Sequence, residues 1–548
     1  MAPRTRIARV GVVWLAAFAT LSYASASTPV TDIEDVDFGP SEAAARHNAF
    51  EICNAIHSAM RQWGLSLNHN GMSLFLATIP AGVTLHHGTH SPTPPPGPEW
   101  LALEIEHAEQ FAHPRWRRGD RPGPPGPPPP DSEPPPPPSP VAQDQQPLHF
   151  PPQPHQPPPR SPNNNNDNNT NPDSDPHGHG YLHTYLTTTP LHLLYLDGTS
   201  AGNTDMGTLD TQDLLLRLNR SASLWDERGR AQALCDTVSS WGGGLHGVLR
   251  MEAGFEVIQC DFSRGLELVA ASRRPEESDC LAAGEVRMFE YIKAVARRYH
   301  DIGGGRVVVD WGSMVSAFFY EVDLGNPNGT VGMPRLVGVS DGELRAIRQR
   351  VEDVVKGRRG EGRRAVNWQG LVDMVVARYA DRLRYMAGVD SVEVMQAEVN
   401  GLLNTHIDSA VDDQGYKAAL KRCSGFYTLG VTPQTQEDSL VMAAVETVTH
   451  SICSTLFEVR KVVWENPDAN GGSLELAKRE LRDLMDKLRW TRWKECAGCG
   501  FDEVCFIPVW PYGDKAAHEQ PSCRNTTSLT KGWRDSRYWQ SGPGMGPK

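Results

Sequence analysis

Several common chemistries are missing from this chain at the level of motif. It has no Gly-x-Ser-x-Gly elbow, no His-Glu-x-x-His and no phosphate-binding P-loop, which argues against the common serine hydrolases, zincins and nucleoside triphosphatases. No apolar run after residue 30 reads as a membrane span, and the C-terminal stretch Gly542–Lys548 lacks the hydrophobic tail of a lipid-anchor signal. Positive charge is in deficit: 53 Lys and Arg stand against 66 Asp and Glu, a net charge of −13. An acidic chain is a poor nucleic-acid binder, because such binding needs a basic surface to displace counterions.

What is present at the start is a leader pattern. Arg4, Arg6 and Arg9 precede an apolar run from Val10 to Leu21, and Ala24-Ser25-Ala26 fits a signal-peptidase site. Cleavage there removes three positive charges and no acids, moving the net charge from −13 to −16. The expected product is secreted and extracellular, with no membrane span left after cleavage. Its ten cysteines, an even number, then read as disulfides. The cluster Cys496, Cys499, Cys505 and Cys523 has a spacing that also suits zinc, but the compartment favours disulfides. Sequons at Asn168, Asn219, Asn328 and Asn525 fit a glycoprotein.

Composition and periodicity divide the rest of the 548 residues. After the signal (1–26) comes the first part of an α+β domain (27–113), with apolar positions at helical spacing from Ala43 to Trp63 and Gly64 just past the helix end. Residues 114–180 carry Pro runs, four consecutive Asn and a His177-Gly-His179-Gly tail, too little apolar surface to offset ordering, and are expected to be a disordered insertion. The second part of the α+β domain (181–275) is β-rich with one crossing helix at Asp226–Trp241. A mainly helical region (276–430) and a helical, Cys-rich region (431–548) follow. Helices are expected at 344–355, 371–386, 392–411, 440–463 and 473–493, with Asp390 and Glu393 as a capping box. The Gly-spaced basic loop 356–364 reads as an exposed loop or a dibasic processing site.

Three pieces carry the candidate chemistry. Val83-Thr84-Leu85-His86-His87-Gly88-Thr89 is a strand ending in a His-Gly-Thr corner. Glu99-Trp100-Leu101-Ala102 leads into a helical run with Ala108, Phe111 and Ala112 on one side. Glu252-Ala-Gly-Phe-Glu256-Val-Ile-Gln-Cys260 is a strand with a glutamate at its entrance. Together they resemble the H-Y-E pattern of the ADP-ribosyltransferase-like fold. The resemblance implies a β-rich ADP-ribosyltransferase-like N-terminal domain that pinches NAD between two strands. His87 then bonds the adenosine ribose, Gly88 (with Thr89 beside it) offers backbone to the nicotinamide amide, and Trp100 stacks where the family has tyrosine. Glu256 stabilises the oxocarbenium-like transition state, with Glu252 competing for that position. The implied cofactor is NAD and the implied partner a protein acceptor. The activity is ADP-ribosyl transfer or NAD hydrolysis, with His87 and Glu256 catalytic and no metal.

Other constellations stay open. Acids from Asp205 to Asp213 have a spacing that could suit calcium but lack an EF-hand's glycine and terminal glutamate. Asp197, Asp205 and Asp210 could supply a glycosidase pair. Tyr181-Leu-His-Thr-Tyr185, Leu193-Leu-Tyr-Leu-Asp-Gly198, Met251–Glu256 and Asp310–Tyr320 resemble a group of uncharacterised secreted proteins of filamentous fungi, which implies a route and no activity. The rival to the enzyme is therefore a non-enzymatic secreted or cell-wall glycoprotein, with the Pro-rich segment as spacer and the cysteines as braces.

Overall fold

The computed structural model describes residues 38–113, 179–242, 244–274, 284–327, 332–357, 365–408, 413–465, 472–530 and 538–539. The signal peptide, most of the insertion (114–178), Cys280, the sequons at Asn168 and Asn328 and most of the basic loop lie outside them.

One nine-stranded sheet runs through the molecule, built from β1 (Ser73–Ile79), β2 (Thr84–Thr89), β3 (Glu99–Ala102), β4 (Tyr181–Thr187), β5 (Leu191–Leu196), β6 (Gly247–Met251), β7 (Phe255–Gln259), β8 (Leu266–Arg273) and β9 (Val308–Ser316). The spatial order is β8-β4-β2-β3-β7-β6-β5-β1-β9. Every pair is antiparallel except β5 with β6, which the crossing helix connects in parallel. The central strands β5, β6 and β7 are buried nearly throughout, β5 as an almost unbroken apolar run and β6 and β7 with Arg250, Glu256 and Gln259 among their apolar residues. The edge strand β8 is largely exposed.

The helices are α1 (Glu42–His47), α2 (Ala49–Ser58), α3 (Gln62–Leu67), α4 (Ile105–Glu109), α5 (Glu227–Ser240), α6 (Gly284–Ala296), α7 (Asp341–Lys356), α8 (Trp368–Met386), α9 (Val392–Leu403), α10 (Asp413–Ser424), α11 (Gln436–Glu465) and α12 (Gly472–Leu488), followed by two single-turn helices, Lys515–Glu519 and Thr526–Thr530. The single helix expected over 43–63 is three. Asn48 separates α1 from α2, Met60 takes a left-handed φ of 58° after α2, and Gly64 lies inside α3 rather than beyond it. The helix expected to run to Val411 stops at Leu403. Its cap is Ser391, whose hydroxyl accepts from the Val394 N–H at 3.2 Å, not Asp390. A capping box does form two helices earlier, between Ser340 and Glu343 at the start of α7.

One apolar core joins the sheet to the helical layer, from Ala45 and Ile52 through Phe75, Leu194 and Val257 to Tyr379, Val445 and Leu488. At its centre lies α11, long and apolar enough to cross a membrane by length and hydropathy, but packed here against α1, α2, α9, α10, α12 and β9. The molecule is thus a mixed α+β fold with a mainly helical C-terminal half.

Among the described residues, four disulfides brace it. Cys235–Cys260 ties α5 to the end of β7, and Cys423–Cys453 ties α10 to α11. Cys496–Cys505 and Cys499–Cys523 staple the C-terminal module. The latter two consume all four sulfurs that sequence spacing offered to zinc, so no thiolate is left there. Cys53 keeps a buried thiol, pushed up to about 12 by burial and by Glu51.

Candidate functional site

The sheet's middle carries a chain of buried charges. A three-residue turn, Glu252–Gly254, joins β6 to β7 and pairs Met251 with Phe255 and Arg250 with Glu256. Side chains directly opposite on an antiparallel pair share a face, so the Arg250 guanidinium meets the Glu256 carboxylate, Nε to Oε1, at 2.8 Å. The π-helical turn Thr211–Leu216 and α5 close over the same face. From them Gln212 Oε1 accepts from Arg250 Nη1 at 2.8 Å, and Glu227 Oε2 accepts from Arg250 Nη2 at 2.7 Å. Glu227 also holds Arg230, whose guanidinium forks onto both oxygens of Asp213 at 3.0 Å. Arg217 closes the chain on Asp213 at 2.6 Å. Arg230 and Arg250 are 0% and 2% exposed, and charges so deep survive only because each is paired and hydrogen-bonded.

The other end of the chain reaches α4. His107 points Nε2 at Glu252 Oε2 (3.3 Å) and Glu256 Oε2 (3.5 Å), while its Nδ1 lies 3.2 Å from the Tyr291 hydroxyl on α6. Glu104, which caps α4, accepts the Phe255 N–H through Oε2 at 2.9 Å. The turn has to be tight here: a Cβ on Gly254 would meet the His107 ring at 2.9 Å and Glu104 Oε2 at 3.1 Å.

Environment separates these groups. Burial opposes the charge on Glu256, yet Arg250 and His107 hold its carboxyl below the usual range. Burial likewise opposes charge on His107, but its carboxylate neighbours raise the imidazole overall. Glu252, largely removed from solvent and facing Glu256, is pushed up despite His107, and burial raises Glu104 as well.

The sequence-derived positions do not all meet. In the register, His86 (not His87) stands in file with Ala102 and Glu256. His87 sets its Nδ1 against the Trp100 carbonyl at 2.7 Å and packs its ring on His183 and Phe262. Burial lowers it to about 4, leaving it neutral. Gly88 is covered, since a Cβ there would lie 2.0 Å from the Ala108 carbonyl of α4. Thr89 ends β2, where its hydroxyl accepts from the Ser91 N–H at 3.3 Å. Trp100 is half-buried opposite Ile258. Glu252 and Glu256 are brought together, both against His107. Sequence reading missed His107, Glu104, Arg250 and Tyr291. One signal was available: an arginine and a glutamate at equal distances from a Glu-Ala-Gly turn are cross-strand partners of opposite charge.

Two aspartates of the glycosidase alternative are engaged by neighbouring groups. Asp210 is held by Arg335 at 2.9 Å and by the Leu336 N–H at 2.8 Å, while Asp197 accepts the Ser73 N–H at 2.9 Å. Burial pushes Asp197 up to about 7.

No solved structure matches the chain. Along its length it is 23% identical to Uncharacterized protein YOR389W of Saccharomyces cerevisiae, over 87% of this chain and 83% of that one. It is 32% identical to Uncharacterized protein YPL277C of the same yeast, over 43% of this chain and 44% of that one. The fungal part of the expected kinship therefore holds, carried by uncharacterised yeast relatives. Residues 42–286 match the family described as the YPL277C N-terminal domain, a span that contains the buried charge chain from His107 to Glu256 and leaves only Tyr291 outside.

Proposed function

We propose that this chain is a non-enzymatic extracellular protein, a disulfide-braced body that carries the Pro-rich insertion, rather than an enzyme acting on NAD. The observation that carries the reading is the engagement of Glu256. A carboxylate that stabilises a developing oxocarbenium ion has to face the ligand. Here one Glu256 oxygen is held by Arg250 and the other faces His107, in a residue only 4% exposed. The Gly88 backbone, which the NAD reading needs open, is roofed by α4. Eight cysteines in four disulfides fit an oxidising compartment.

Thermal unfolding with NAD is the test. A ligand at 100 times its Kd adds about 2.7 kcal/mol, a shift that is easily seen. The expected result is an unmoved transition and no nicotinamide release. A clear upshift that Glu256→Gln abolishes while the fold persists would restore the enzyme.

A further inference from the structure

The buried charge chain holds more carboxylate than its arginines neutralise. Arg217, Arg230 and Arg250 are matched by Asp213, Glu227 and Glu256. Glu252 and Glu104 are additional, and both lie beside the same imidazole. The nearby cations are engaged elsewhere: Arg298 with Glu106 at 3.3 Å, Arg306 with the carbonyls of Ile302 and Leu103.

The His107 contacts are poor as hydrogen bonds. Charge-assisted N–H···O bonds run at about 2.7–2.9 Å, whereas Nε2 stands 3.3 Å from Glu252 Oε2 and 3.5 Å from Glu256 Oε2. A single ring N–H cannot point at both. The same distances fit the edges of a tetrahedron: bonds of about 2.0–2.1 Å to a central Zn2+ put neighbouring ligand atoms about 3.3–3.5 Å apart. All three donor atoms lie within 4.8 Å of one another.

Two further features suit a cation. Glu104 is 1% exposed, and its Oε1 has no hydrogen-bond partner. Its carboxylate and the His107 ring crowd the same face of Gly254. The Tyr291 hydroxyl on Nδ1 supplies the outer partner that metal-bound histidines carry, fixing the ring and leaving Nε2 free to ligate.

We infer that His107, Glu252 and Glu256 form a binding site for one divalent transition cation, with the buried Glu104 carboxylate beside it. One imidazole nitrogen with carboxylate oxygens, and no thiolate, selects Zn2+ or its near neighbours over Ca2+ and Mg2+, which take oxygen alone. The site is carried by the fold itself: α4 brings the histidine, the β6–β7 turn brings Glu252, and β7 brings Glu256. It is separate from the Asp205–Asp213 stretch, where Asp210 and Asp213 are occupied by arginines.

The test uses the full-length protein stripped with a chelator and titrated calorimetrically with zinc chloride alone. One equivalent per chain is expected, with a rise in the unfolding temperature. Glu252→Gln is the informative variant, because Glu252 makes no bond to the arginines and its loss leaves the charge chain intact. Zinc affinity in that variant should fall at least tenfold, while it still unfolds cooperatively without metal. Co2+ in place of zinc should give the visible absorption of a tetrahedral complex, and His107→Gln should abolish it. Absence of stoichiometric uptake, or uptake unchanged in Glu252→Gln, overturns the assignment.

Discussion

The charge chain over the sheet and the apolar layer around α11 are equally deep and are held in opposite ways. In α11, Val441, Ala444, Val445, Val448, Ile452, Leu456, Val459 and Val463 form one inward stripe, each at most 3% exposed. Any one of them contributes area, and its neighbours remain in place when it is trimmed. In the charge chain each member has a particular partner on another element: β6 to β7, β6 to α5, α5 to the π-helical turn. Removing a methyl group leaves a small cavity; removing Arg250 strips a guanidinium from two buried carboxylates, leaving Glu227 only Arg230 and Glu256 only His107. The apolar layer therefore fails by degrees, and the charge chain fails at once.

That contrast is open to breakage. The largest effect is expected for Arg250→Ala, which strands Glu227 and Glu256 and should cost about 3–5 kcal/mol by denaturant unfolding. A loss under about 1 kcal/mol would mean that the pairs are interchangeable with water, and the contrast would collapse. Leu456→Ala in the apolar layer should cost about 3 kcal/mol, with the spread set by how far the cavity relaxes.

The smallest effect concerns a buried ionisable group that has no carboxylate partner. Burial, with His518 close by, lowers His69 to about 3 against the hydrogen bond it donates to Asn70 Oδ1. Its folded value lies below the unfolded 6.5, so the unfolded chain takes up a proton that the folded chain refuses. Stability should be complete above pH 6.5 and fall as the pH drops toward 3. Between pH 6.5 and 5.5 this amounts to about 1 kcal/mol, and His69→Gln should remove that part of the slope.

The two regions also differ in how readable they were. The α11 stripe, the α8 stripe and the buried runs of β5 to β7 were legible because periodicity is local: a window of a dozen residues contains the signal. The expected helix at 226–241 and strand at 266–272 agree with α5 and β8 to within a residue or so. The break at Asn48 was hidden because α1 and α2 keep enough of one apolar face to mimic a single helix. α10 went unread, and the capping box was sought at Asp390 when Ser340 held it. Charge pairing was hardest, since Arg250, Glu227 and Asp213 lie on three elements and only topology makes them neighbours. Glu252 and Glu256 were picked out, but His107 sat unremarked inside a stretch read for its alanines. The glycine at 88 was noticed for the room it leaves; what fills that room is the Ala108 carbonyl of α4, not a ligand.

The closeness of Gly180 to Ala112 has a consequence for how this protein can change over generations. A Cβ on Gly180 would sit 2.0 Å from the Ala112 carbonyl, so the described residues on either side of the Pro-rich stretch lie side by side at one seam. Closing a longer loop at such a seam costs only about 0.6 kcal/mol per doubling of length. A change in the length of the stretch joined there is therefore expected to cost little as long as β2 and β4 stay paired.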